Sequence, residues 1–232
     1  MRSVVENLLA GNGQHRLWPG EPKSGRVAVV RGFDVGSREF RGAIRDAATA
    51  RGWSSIDVPV TPGFGALPAG EVRLVVVARA SLLPLGERCA AHWGAHLLGP
   101  EVAITDPSAL SHCSVPGLRV TSATGAHDAV AARLSISGPA RYRIGGGPQI
   151  TAESLALEPS AAGILVESGT PPTTGLRMAE RPLDFELDRE AEAVLDGHPT
   201  TLPPGRYTVT ARPAAFHRVV VDHEPVSSPS LV

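Results

Sequence analysis

Val75-Val76-Val77-Ala78-Arg79-Ala80-Ser81-Leu82-Leu83 joins an uninterrupted apolar run to a segment with helical spacing, and that junction decides the fold class. Three consecutive valines read as a buried parallel strand, because a strand covered on both faces needs no polar alternation. In α/β proteins that handle nucleotides the following turn is usually glycine-rich, since backbone without Cβ lets amide N–H groups close around a phosphate. Here the turn is Ala78, Arg79, Ala80 and Ser81. The frame of a nucleotide-handling protein is legible, while its chemical centre is altered.

Working outward, the first half alternates strand and helix signals. Residues 27–30 form a short β-rich run, followed by Gly32 and Gly36 at a turn. Ser37 is the expected N-cap of a helix over residues 38–51, with Phe40, Ile44, Ala47 and Ala48 at helical spacing. Further strands are expected at residues 56–60, 73–78 and 102–105, and at 118–120. Helices are expected at residues 85–98 and 128–134. Strands separated by helices of this length imply βαβ units and a parallel sheet.

After about residue 137 the pattern changes to short alternating runs at residues 142–144, 154–157, 163–166, 183–187, 191–195, 206–211 and 218–221. Turn signals separate them at Gly145-Gly146-Gly147, Pro171-Pro172, Asp196-Gly197 and Pro203-Pro204-Gly205. The expected fold is therefore an α/β N-terminal domain with a parallel sheet (residues 1–136), a β-rich antiparallel C-terminal domain (137–225) and a frayed tail (226–232).

Composition narrows the functional classes. The 232 residues suffice to bury a core, and a formal net charge of −1 gives no electrostatic case for nucleic acid or an anionic membrane surface. Two cysteines, Cys89 and Cys113, make no disulfide framework in a chain this long. Residues 1–10 lack the apolar core of a signal peptide and no apolar run reaches membrane-spanning length, so a cytoplasmic setting is expected.

Four places carry a resemblance to the NAD kinase and diacylglycerol kinase superfamily, in which an α/β domain precedes a β-rich one. Ala193-Val194-Leu195-Asp196-Gly197-His198 followed by Leu202-Pro203-Pro204-Gly205-Arg206-Tyr207-Thr208-Val209 is similar to the family's closing pattern. The same residues also read as two hairpin strands with ordinary turn residues. Gly163 to Gly175 looks like the family's strand entering a hydroxyl-rich, nucleotide-contacting turn, and also like a plain proline-rich loop, because Pro171 and Pro172 remove backbone donors. Glu153 stands where the family has the Glu of an Asn-Glu pair that holds ribose, with Ala152 replacing the Asn; a lone surface Glu at a strand start is usually only a solvated charge. Residues 78–81 replace the family's Gly-Gly-Asp-Gly-Thr loop, and no carboxylate lies nearby.

The resemblance implies a degenerate phosphotransfer site that binds a nucleotide or other phosphorylated small molecule, NAD(P) or ATP, in a cleft between the domains. Arg79 would pair with the anion, Glu153 would contact ribose, and Ser81, Thr170, Thr173 and Thr174 would donate hydroxyls. A divergent active kinase would need its acid from Asp57, Asp106 or Glu153, and an assembly protein would have kept the fold for its surfaces. Homo-oligomers are expected.

Two other constellations stand apart. Cys89, His92 and His96 fall on one face of the expected helix, with His112-Cys113 able to approach from a loop. The spacing lacks the paired cysteines of structural zinc sites, and a metal is not expected. Ser168 or Ser122 with His127 and Asp128 would assemble a triad on paper, but no Gly-x-Ser-x-Gly elbow presents the serine. Gly145-Gly146-Gly147 reads as a turn, with a phosphate loop as the alternative.

Overall fold

The computed structural model describes residues 2–9, 25–59, 67, 70–102, 110–125, 128–170 and 173–221. The chain divides into two compact units, neither of them a contiguous stretch. The first comprises Met1–Gly86, His96–Cys113 and His217–Val232; the second comprises Glu87–Ala95 and Ser114–Phe216.

In the first unit, β1 (Arg26–Arg31) lies between β2 (Ser54–Pro59) and β3 (Leu74–Val77), parallel to both. Val27 to Val30 and Leu74 to Val77 are all buried, the continuous apolar signature of parallel strands covered on both faces. β4 (His96–Leu98) pairs parallel with β3, and the end of β14 (Gly205–Val221) pairs parallel with β4 through His217 and Arg218. The amphipathic helix α2 (Val35–Thr49) buries Ile44, Ala47 and Ala48 in a core with Val27, Val29, Leu74, Val76 and Trp53. Val5 and Leu9 of α1 (Arg2–Leu9) join the same cluster.

The second unit is built from antiparallel strands. The centre is β7 (Leu134–Ile144), which pairs with β8 (Ile150–Ser160) on one side. On the other side β7 pairs first with β12 (Ala191–Leu195) and then with β11 (Leu183–Leu187). β9 (Gly163–Thr170) and β10 (Thr173–Ala179) extend the meander beyond β8. β13 (His198–Leu202) closes a hairpin with β12, and β11 pairs with the start of β14. β5 (Leu110–Ser122) pairs with β6 (Asp128–Ala131). Alternate residues such as Leu134, Ile136, Tyr142, Leu155 and Leu157 point into the core, where Phe185 stacks on its register partner Tyr207 at 4.8 Å.

These observations overturn the expected α/β domain followed by a separate β-rich domain. Strands take up 57% of the described residues and belong to one 14-stranded mixed sheet. Among the described residues, helix is limited to α1, α2 and α3 (Leu83–Trp93) with two 3-10 turns. The runs at residues 206–211 and 218–221 are a single strand, β14, whose first half pairs antiparallel with β11 and whose last half pairs parallel with β4. Sequence order therefore does not separate two architectures.

Local expectations shift for identifiable reasons. The helix expected through residue 98 stops at Trp93, because Gly94 adopts φ 64° and the Ala95 amide closes back on the Ala90 carbonyl. His96, Leu97 and Leu98 are thereby released into a strand. The helix expected at 128–134 is instead β6 (Asp128–Ala131) and the start of β7, since pairing with β5 (Leu118↔Ala131) overrides the helical preference of its alanines. Residues 100–102 form a 3-10 turn, and the strand expected at 102–105 otherwise falls outside the described residues. Among the described residues, no helix is long and apolar enough to cross a membrane.

Two glycines test this packing in opposite directions. Gly163 has φ 143°, and a Cβ there would sit 2.2 Å from the Ala179 carbonyl oxygen. Gly42, inside α2, has open space around that position. Gly163→Ala is expected to destabilise by about 1–3 kcal/mol, and Gly42→Ala to stabilise by about 0.5–1 kcal/mol. Urea midpoints of the two variants check the pair.

Candidate functional site

In the first unit the chain leaves β1 to form β2 on one side and returns as β3 on the other. Strand order thus reverses between β1 and β3, and the carboxyl ends of such strands flank the crevice where open α/β sheets bind ligands. Gly32 to Asp34 follow β1 and Ala78 to Arg79 follow β3, so the segment singled out in the sequence lies at this point.

Asp34 is the N-cap of α2, with extended backbone (φ −69°, ψ 166°) and a side chain that accepts the Ser37 amide at 3.0 Å. The Ser37 hydroxyl donates to the other carboxylate oxygen at 2.7 Å. The helix therefore starts at Val35, ahead of the expected start at 38, and the cap is Asp34 where Ser37 was expected. A carboxylate oxygen reaches the third amide of the helix and complements its positive end. Gly32 leaves the room, since a Cβ there would lie 3.0 Å from the Asp34 carboxylate.

Arg79 is exposed and extended (φ −148°, ψ 152°), and its guanidinium donates to the Asp34 carboxylate. The Asp34 carboxyl is held below its ordinary value, chiefly by the hydrogen bonds from the Ser37 hydroxyl and amide, with the Arg79 charge adding to them. Ser81 is exposed in the 3-10 turn Ala80–Leu82 that begins next to Arg79.

A second charge cluster adjoins the end of β1. Arg31 donates to the Gly32 carbonyl at 3.0 Å and to Asp57 at 3.1 Å, and Arg41 donates to Asp57 at 2.7 Å. The Arg31 Nε is buried and has no acceptor among the described residues. Three guanidinium groups (Arg31, Arg41 and Arg79) thus face two carboxylates (Asp34 and Asp57), a local surplus of one positive charge. Both oxygens of each carboxylate are engaged. The arrangement suits an anion; it offers no carboxylate free to hold a metal ion or take a proton. Asp34, Arg31 and Arg41 were missed in the sequence, although Asp34 three residues before Ser37 has cap spacing.

The remaining expected ligand residues lie in the second unit. Glu153 is exposed on β8, next to Ser154, whose register partner is Gly169 on β9. Thr170 ends β9 and Thr173 begins β10, and the two are register partners. Glu153 and the threonines therefore belong to adjacent strands, while Arg79 and Ser81 belong to the other unit. Asp106, His127 and Pro171-Pro172 lie outside the described residues.

Other motifs resolve into structural roles. Asp196 (φ 51°) and Gly197 (φ 79°) form the tight turn between β12 and β13. The Asp196 carboxylate also accepts the amides of Ala132 and Arg133 at 2.6 and 2.8 Å. Ser168 receives the Tyr142 hydroxyl at 3.0 Å. Gly145 and Gly146 (φ 55° and 77°) form the turn between β7 and β8. A cavity of about 330 Å³ in the second unit is lined by Arg141, Arg143, Arg206, Asp184 and Glu186. Arg206 pairs with Glu186, and Arg141 with Glu186 and with Asp188 outside the cavity, while Arg143 donates to Gln149 and Asp184 accepts from the Thr208 hydroxyl.

The expected Cys89–His92–His96 face does not form on one helix. Cys89 is buried on α3 and its thiol is pushed up to about 12 by desolvation, so it is neither a ready ligand nor a nucleophile at neutral pH. His92 is exposed on α3 against Trp93, and His96 lies on β4. Cys113, by contrast, is exposed. In the native protein an aromatic disulfide reagent is expected to label Cys113 alone, and both thiols after unfolding; rapid labelling of Cys89 would contradict its burial.

No protein-family model matches the sequence, and no curated protein matches it. Among solved structures, the chain is similar to 2,5-dihydroxypyridine dioxygenase from Pseudomonas putida KT2440, at 8% identity over 95% of this chain and 93% of that one, with a TM-score of 0.27. A TM-score at that level carries no argument about fold or activity.

Proposed function

We propose that the crevice at the carboxyl ends of β1 and β3 binds a nucleotide or other phosphorylated small molecule, and that Arg79 is its anion partner. The observation that carries this is the Arg79–Asp34 pair at the reversal of strand order. Both side chains are substantially exposed, at 55% and 40%, so water and salt screen the pair and it opens readily. A phosphate presents two oxygens to the guanidinium fork and competes effectively with one oxygen of a carboxylate already held by Ser37. The unaccepted Nε of Arg31 offers a further donor beside the same strand end.

Phosphoryl transfer needs charge stabilisation, commonly from a metal ion held by carboxylate. Asp34 and Asp57 are both committed to neighbours, which supports binding without ordinary NAD-kinase-type transfer. The degenerate loop at residues 78–81 fits that proposal.

Thermal shifts with NAD, NADP, ATP and ADP-ribose, with and without Mg²⁺, test it. Binding at a hundredfold excess over Kd stabilises by about 2.7 kcal/mol, or about 5–10 °C in a chain of this size. Arg79→Ala is expected to abolish the shift. Asp34→Asn, which keeps a capping side chain and removes the competing charge, is expected to enlarge it. No shift with any nucleotide, or a shift that Arg79→Ala leaves intact, would overturn the proposal.

A further inference from the structure

Two rows of charged side chains cross the outer face of the second unit, where β7, β11 and β14 lie side by side. Arg143 pairs in register with Asp184, and Asp184 with Thr208. Two residues along, Arg141 pairs with Glu186, and Glu186 with Arg206. Between the rows Tyr142, Phe185 and Tyr207 turn the other way, into the core. The rows line the cavity of about 330 Å³, a volume at the small end of the range for small-molecule sites, about 300–1,000 Å³. Gln149, just before β8, and Ala123, whose amide donates to the Arg206 carbonyl at 2.8 Å, line it as well.

The charges in these rows are oriented without all being neutralised. Arg143 and Asp184 are register neighbours of opposite sign, yet the guanidinium donates to the Gln149 side-chain oxygen at 2.8 Å and the carboxylate accepts the Thr208 hydroxyl at 2.7 Å. Both partners are neutral, so each charge is held in place and keeps its capacity for an ionic partner. Cross-strand pairing of opposite charges stabilises a sheet by about 0.2–1 kcal/mol per pair, but that role would draw Arg143 onto Asp184. Arg206 lies 3.5 Å from Glu186, beyond ordinary hydrogen-bond range, and its side chain is 77% exposed. Arg141 differs, because Asp188 and Glu186 both engage it. Among the described residues, the cavity thus presents two guanidiniums with donors to spare, Arg143 and Arg206, and one carboxylate, Asp184, with an oxygen to spare.

We propose that this cavity binds a small amino acid with an acidic side chain. The two carboxylates of such a ligand match Arg143 and Arg206, since a guanidinium recognises carboxylate through paired donors. Its ammonium matches the spare oxygen of Asp184, and Glu186 adds negative charge on the same face. A simple dicarboxylate brings Asp184 no donor and meets its like charge. The site belongs to the second unit and does not rest on the nucleotide reading of the crevice at β1 and β3.

Amide NMR titration of the full chain with L-glutamate tests the proposal. Saturable shifts are expected at residues 141–143, 184–186 and 206–208. Glutarate lacks the ammonium and 4-aminobutyrate lacks one carboxylate, so each is expected to bind at least about tenfold more weakly. ADP-ribose, which carries no ammonium, is expected to leave these residues unmoved. Arg143→Gln is expected to weaken L-glutamate binding at least about tenfold. Asp184→Asn keeps an oxygen for the Thr208 hydroxyl and removes the charge, so it is expected to weaken L-glutamate and strengthen glutarate. Opposite changes for two probes separate a ligand contact from damaged folding. No saturable shift with L-glutamate, or equal responses to L-glutamate, glutarate and ADP-ribose, would overturn the proposal. So would Asp184→Asn changing both probes alike; the rows would then be a cross-strand charge ladder or a general anion patch.

Discussion

The structure depends on one strand. Residues 205–221 run without a break, pairing antiparallel with β11 at Leu183 to Leu187 and parallel with β4 at His96 and Leu97. The hydrogen bonds of a single extended segment thus complete both units. The first unit needs residues from the far end of the chain to continue its parallel sheet beyond β4. Non-local pairing of this kind carries a high loop-closure cost. The parallel sheet of the first unit therefore continues past β4 only once residues 217 and 218 are in place.

Within the first unit, parallel pairing brings the ends of β1 and β3 together and with them two kinds of ion pair. Asp57 takes two arginines and its oxygens are spent. Asp34 takes Ser37 twice and Arg79 once, in an exposed position. The first arrangement fixes the end of β2 against α2; the second leaves a guanidinium that changes partner easily. The Asp34 carboxylate thus serves both as helix cap and as the partner of Arg79; under the proposed function, a bound anion would compete with it for the guanidinium.

The sequence made the strands at β1 and β3 legible because uninterrupted valines leave little choice at that length. It likewise exposed the second-half strands and the Asp196-Gly197 turn. The architecture was not legible, because a two-domain order assumes that neighbours in sequence are neighbours in space. Residues 206–211 and 218–221 read as two strands, where the chain passes straight through as β14. Gly94 was the one-residue signal for ending α3, and overlooking it carried His96 onto a helix face that does not exist. The row of Arg143, Asp184 and Thr208 had no sequence signal at all: the three positions are unrelated by any period and meet only through strand pairing. Arg79 was visible as an oddity in the loop, but its partner Asp34 lies 45 residues away and only the parallel pairing of β1 with β3 joins them.

Backbone amide NMR shifts on titration with ADP-ribose address the central claim most directly, because they locate binding without a mutation. The largest shifts are expected at residues 32–37 and 78–82, with smaller ones at Arg31 and Asp57. Shifts centred on the cavity lined by Arg141 and Arg206, or no shifts at all, would contradict a binding site at the crevice of β1 and β3.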